Sequence, residues 1–247
     1  MGGAALLTLP VLEVAGLPFF RTNGLVFFVV GVIGLAFADG AGTPPPLPAL
    51  AFSGLFLLLL FVYNLRLWLR HPHHSRPLLY AAASVGGAAL LALARFHAGA
   101  TPIQSALLFS SFLSSGLLMG AGLLAMLLGH RYLTAPSLSM VPLDALVRIF
   151  LWLICVACGL TAVNLSFSPD PDRMGRALRL QTFEGVYLWA RILVGLVTPL
   201  LLAAMIRQTV RWRATMSATG LLYIAMLMVL IGEIFARFFL LTGAVIL

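Results

Sequence analysis

The stretch Ala218–Leu241, ATGLLYIAMLMVLIGEIFARFFLL, decides how this chain is read. It exceeds the roughly 20 apolar residues that a helix needs to cross a bilayer. Its only charges are Glu233 and Arg237, one helical turn apart. Charged groups are expensive in hydrocarbon, so a pair of them inside a span marks a candidate working position.

Composition extends that reading to the whole chain. Of 247 residues, 62% are hydrophobic and only 9% charged, far below the roughly 25% of soluble domains, and the mean hydropathy is +1.07. The expected fold is all-α, a polytopic transmembrane helical bundle in a single domain, with the lipid membrane as its surroundings. The net charge of +8 comes from 15 basic residues, all arginine, set between apolar runs. In that position they are topology signals, and no nucleic-acid partner is expected. Cys155 and Cys158 lie within one apolar run and form no disulfide framework of the secreted type. The N-terminus lacks the basic start of a signal peptide and is read as unprocessed.

In chain order, Ala4 to Phe20 is broken by Pro10, Glu13 and Pro18 and reads as an interfacial or re-entrant piece. Seven spans follow, near Thr22–Ala38, Leu47–Leu69, Pro77–Ala94, Gln104–Gly129, Leu143–Leu165, Phe183–Ile206 and Ala218–Leu241. The fourth has Ser111 and Ser115, and Gly116 and Gly120, each one turn apart; small residues at that spacing let helices approach closely and place this span at the centre. Pro199 interrupts the sixth. Arg173, Arg176 and Arg179 recur beside Met174, Ala177 and Leu178, the pattern of a short amphipathic helix lying on the membrane. Arg66, Arg70, Arg76, Arg131, Arg207, Arg211 and Arg213 fall in loops on one side, against Arg95, Arg173, Arg176 and Arg179 on the other. That bias orients the N-terminus inside and the C-terminus outside in a bacterial-type cytoplasmic membrane.

This topology brings charges to one depth. Glu233 lies fifteen residues past Ala218, roughly 22 Å from the inner face, and Arg191 reaches a similar depth from the other side. Glu184 and Arg191, seven residues apart, share a helical face. The expected cluster is Glu184, Arg191, Glu233 and Arg237, with Arg95, His97, Gln104 and Gln181 near its rim and Tyr187 and Trp189 as aromatic walls. Two readings of it stand side by side. It is either a packing lock between helices, or a quinone or proton site in which Arg191 donates to a carbonyl and Glu233 carries protons.

Other constellations point less far. His71, His73 and His74 beside arginines read as a solvated turn, so no metal site is assigned. His97 and His130 fall at opposite faces, which disfavours a bis-histidine haem. The Cys155–Cys158 CVAC element lies near mid-span, where cysteine usually behaves as a small hydrophobe. No cysteine array or phosphate loop is present to hold iron-sulfur, flavin or nucleotide.

The string GEIFARFFLLTG, from Gly232, resembles the Gly-Glu-x-x-x-Arg pattern near the C-terminal end of membrane-anchor subunits of the DMSO-reductase and polysulfide-reductase family. The resemblance covers about a dozen residues and places Glu233 and Arg237 in the pattern. It implies a subunit without a complete active site, which binds or guides quinone near the outer face and anchors redox partner subunits there. The loop of Arg173, Arg176 and Arg179 would be the docking surface. The alternatives are a small proton-coupled transporter or channel, for which an internal repeat is expected, and a structural or assembly protein.

Overall fold

The computed structural model describes residues 1–36, 46–69, 76–97, 102–135, 138–168 and 170–241. Among them there is no strand, and seven helical segments are long and apolar enough to cross a membrane. The protein is an all-α polytopic bundle.

The N-terminal piece is inserted into the bundle. A short helix α1 (Gly2–Leu6) leads through a 3-10 turn (Pro10–Ala15) into α2 (Leu17–Ala36). Ala4, Leu7 and Leu12 are fully or almost fully buried. This piece therefore packs against the helices of the bundle itself. The first span begins five residues earlier than expected, at Leu17 rather than Thr22, because Pro18 sits in the first helical turn, where its missing N–H costs nothing.

The helices α3 (Leu47–Trp68), α4 (Arg76–His97), α5 (Pro102–Thr134) and α6 (Val141–Ser166) follow the expected spans to within a few residues, except that α5 continues past Gly129. Arg21 of α2 donates through Nε and Nη2 to the Leu67 carbonyl at 3.1 and 2.8 Å, and lies over the Trp68 ring. It thereby satisfies a carbonyl that the C-terminus of α3 leaves unpaired.

As expected, α5 is central and the most buried span. Its Gly116–Gly120 face receives α1, whereas Ser111 meets Asn164 of α6. A Cβ on Gly120 would stand 2.3 Å from the Gly3 nitrogen, and one on Gly2 would stand 2.1 Å from the Gly116 carbonyl oxygen. Backbone meets backbone there, which only glycine permits.

Helix α7 (Pro171–Leu178) is capped by Asp170, whose Oδ1 accepts from Arg173 N at 2.9 Å. The amphipathic pattern makes a helix, but its apolar face turns onto the bundle instead of the lipid. Met174 and Ala177 are buried with Leu188, Ala236 and Phe239. The sixth span is α8 (Phe183–Ile192), a π-turn (Leu193–Val197) and α9 (Thr198–Arg211), running without a break through Pro199. Thr198 N donates to the Leu193 carbonyl, five residues back, and the wide turn relieves the clash a proline makes with the carbonyl four residues before it. The last span is α10 (Thr215–Leu241), packed along α5, α8 and α9.

Candidate functional site

Arg191, Glu233 and Arg237 come together between α8, α5 and α10, in the half of the bundle nearer α7. Arg191 Nη1 lies 2.9 Å from Glu233 Oε1, with side-chain exposures of 2% and 9%. Arg237 Nη2 lies 3.4 Å from Glu233 Oε2, and its guanidinium stacks over Phe112 of α5 at 4.3 Å. One carboxylate thus faces two guanidiniums in a low-dielectric setting, where the aromatic face is a further source of negative potential for Arg237.

The packing explains why the charges meet here. Gly195 lies one turn after Arg191, and Gly232 directly precedes Glu233. A Cβ on Gly195 would stand 2.4 Å from Gly232 Cα, and one on Gly232 only 3.2 Å from Arg191 Nη1. The π-turn and α10 cross at backbone contact, and that crossing draws Arg191 onto Glu233.

The pair is close but not well aligned. Arg191 Nε and Nη1 and Glu233 Oε1 are buried without a hydrogen-bond partner among the described residues. On its far side Arg191 borders a cavity of about 10 Å³ with Ser111, Ser114, Ser115 and Thr161. Asn164 Nδ2 donates to Ser111 Oγ at 2.9 Å beside it, and Ser114 Oγ and Asn164 Oδ1 are also unpartnered among the described residues. A polar cavity of that size holds about one water.

On the other side of Glu233 a larger recess opens between α4, α5 and α10. This groove, of about 420 Å³, has apolar walls from Leu90, Leu93, Phe112, Met119 and Leu240, and polar groups from Ser115, Glu233 and Arg237. An acid and a cation thus stand side by side among apolar lining groups, with Leu240 one turn beyond Arg237 on the same helix.

The expected four-charge cluster is corrected at Glu184. Its carboxylate accepts from Arg173 of α7, with Nε at 2.9 Å and Nη2 also bonded, so it fastens α7 to α8 instead of joining Glu233. That hydrogen bond raises the Arg173 pKa above its ordinary value. Arg173 is nearer to Glu184 than Arg191 because it approaches from the loop side, whereas Arg191 is two turns further along the same helix. Tyr187 is likewise elsewhere: it stacks on Phe235 at 5.7 Å and meets Phe238 edge-on at 4.8 Å, on another side of α10 from the groove. Trp189 donates Nε1 to the Leu178 carbonyl at 3.1 Å and is not a wall. Arg95, Gln104 and Gln181 do not line the groove. His97 ends α4, its side chain outside the described residues, and His71, His73 and His74 lie outside them too. Cys155 is exposed on α6 and Cys158 partly so, unpaired with each other.

The chain matches no family model, curated protein or solved structure.

Because Glu184 is tied to a partly exposed arginine at the bundle end, its removal is expected to be mild. Glu184→Gln should lower stability by no more than about 1 kcal/mol, the range of exposed ion pairs. Thermal unfolding in detergent checks this, and a loss several times larger would mean that α7 holds the bundle together.

Proposed function

We propose that this protein is a membrane subunit of a respiratory-type electron-transfer complex that binds quinone in the groove between α4, α5 and α10. The observation that carries the reading is the composition of that groove: apolar walls from Leu90, Leu93, Phe112, Met119 and Leu240 surround Glu233 and Arg237. A quinone has a polar ring bearing two carbonyl acceptors and an apolar tail. Arg237 supplies the donor, Glu233 a group able to exchange protons, and the leucine walls a path for the tail. Arg191 holds Glu233 in place rather than touching the ligand. The resemblance of GEIFAR to the anchor subunits supports the same assignment, since its glutamate and arginine are the groove's two charged groups.

In this reading the arginine-rich end, with Arg66, Arg76, Arg131, Arg207, Arg211 and Arg213, faces the cytoplasm, and the groove lies toward the opposite side of a bacterial-type inner membrane. The exposed Arg176 and Arg179 at that end form the docking surface for redox subunits.

The second reading is the packing lock, favoured by the Gly195–Gly232 contact beside the ion pair. Purification in mild detergent from the native membrane, with mass spectrometry of bound proteins and extracted lipids, separates the two. Co-purified quinone and iron-sulfur or haem partners are expected, whereas a lone protein without quinone would refute the subunit reading in favour of the packing lock or the transporter alternative. With the purified protein, Arg237→Gln should weaken quinone binding about tenfold or more, as loss of a charge-assisted hydrogen bond does. Tyr187→Phe, away from the groove, should leave binding unchanged. Equal affinities of the wild type and Arg237→Gln would refute the assignment.

A further inference from the structure

A second recess lies at the opposite end of the bundle and is independent of the quinone reading. It has a volume of about 430 Å³ and sits between the inserted N-terminal piece and the ends of α2, α3 and α4. Leu9, Leu17, Phe20, Leu67 and Leu79 make its apolar walls, and Glu13 and Arg76 are its only charged lining groups among the described residues. The two are ion-paired with each other, yet remain 49% and 61% exposed.

Its depth is that of a lipid headgroup. Arg76 is the first residue of α4, and Tyr80, which also lines the recess, is four residues further in, or about 6 Å. Trp68 and Tyr80 are both exposed at this level, as interfacial aromatics are. The recess therefore spans the zone from headgroup to the start of the acyl chains.

Its charges are of both signs. One guanidinium, Arg76, and one carboxylate, Glu13, beside an apolar slot are complementary to a phosphate joined to a primary ammonium.

We propose that this recess binds a phospholipid with a phosphoethanolamine headgroup. The phosphate lies against Arg76, the ammonium donates to Glu13, and the glyceride part lies along Leu9, Leu17, Leu67 and Leu79. A phosphatidylglycerol would draw Arg76 to its phosphate and away from Glu13 without supplying a cation to replace it beside the carboxylate. A phosphatidylcholine has the cation but no N–H to donate, so it forfeits the charge-assisted hydrogen bond.

Native mass spectrometry of the full chain, delipidated and then titrated with lipids of identical acyl chains, tests this. The series runs from phosphatidylethanolamine through its N-methyl and N,N-dimethyl forms to phosphatidylcholine, with phosphatidylglycerol as the anionic arm. Affinity should fall with methylation, by about tenfold or more overall, and phosphatidylglycerol should bind below phosphatidylethanolamine. Glu13→Gln should abolish the preference for the primary ammonium, and Arg76→Gln should lower affinity for every lipid. Equal binding of the ethanolamine and choline lipids, or tighter binding of phosphatidylglycerol, would overturn the proposal. If Glu13→Gln does not fold, the methylation series on the wild type decides by itself.

Discussion

Glu233→Leu is expected to destabilise the bundle by about 3–5 kcal/mol, the cost of leaving a buried charge without its partner. Arg191 would keep its charge at 2% exposure with no carboxylate in reach, and Arg237 would lose its only anionic neighbour among the described residues. Removing the second charge as well should restore much of the loss. The double variant Arg191→Leu, Glu233→Leu buries two apolar side chains where an imperfectly aligned ion pair stood, and such exchanges are often neutral. Reversible unfolding in mixed micelles, read for both single variants and the double, gives the coupling. A double variant no more stable than Glu233→Leu alone would mean that the pair is not what holds α8 to α10. Quinone binding by the double variant separates the two functional readings: a packing lock tolerates the apolar replacement in full, whereas a quinone site keeps its fold and loses its ligand.

The second large effect is steric. In Gly232→Ala the new Cβ would stand 2.3 Å from Gly195 Cα, a backbone atom that cannot rotate away. The two segments must separate, and overpacking of this kind costs about 1–3 kcal/mol or more. Separation also pulls Arg191 from Glu233, because the same Cβ would lie 3.2 Å from Arg191 Nη1. The control is Gly220→Ala on the same helix, where a Cβ meets nothing within 4 Å. That substitution should be neutral or stabilise by up to about 1 kcal/mol, since alanine is the better helix former. Comparable melting temperatures for the two variants would show that the Gly195–Gly232 crossing is not tight in the folded protein.

Both effects bear on how α8 and α10 serve the groove. Glu233 contributes one oxygen toward Arg191 and the other toward Arg237. Arg191 is pinned by the glycine crossing and fixes the carboxylate, while Arg237, over Phe112 at the groove wall, is the more exposed of the two arginines. The rigid cation is inside and the accessible one faces the slot, an arrangement suited to presenting a donor to a ligand arriving through the lipid.

Much of this protein was legible in the sequence alone. Apolar runs of span length fixed the helices, because a backbone in hydrocarbon must satisfy its own hydrogen bonds, and the seven expected spans match seven helical segments. The small residues of α5 correctly placed it at the centre. The meeting of Arg191 with Glu233 and Arg237 also followed from depth, since rise per residue converts position in a span to height. Height is all that this conversion provides. It cannot tell which side of a helix faces which neighbour, and Glu184, Tyr187 and Trp189 were misplaced for that reason: each turns to α7 or to another side of α10. The tertiary structure alone decided that α1 fills the glycine face of α5, that Gly195 and Gly232 touch, and that Leu90 and Leu93 of α4 complete the groove. Those contacts join residues far apart in the chain, and in a span apolar nearly all round, no periodicity marks the face that packs.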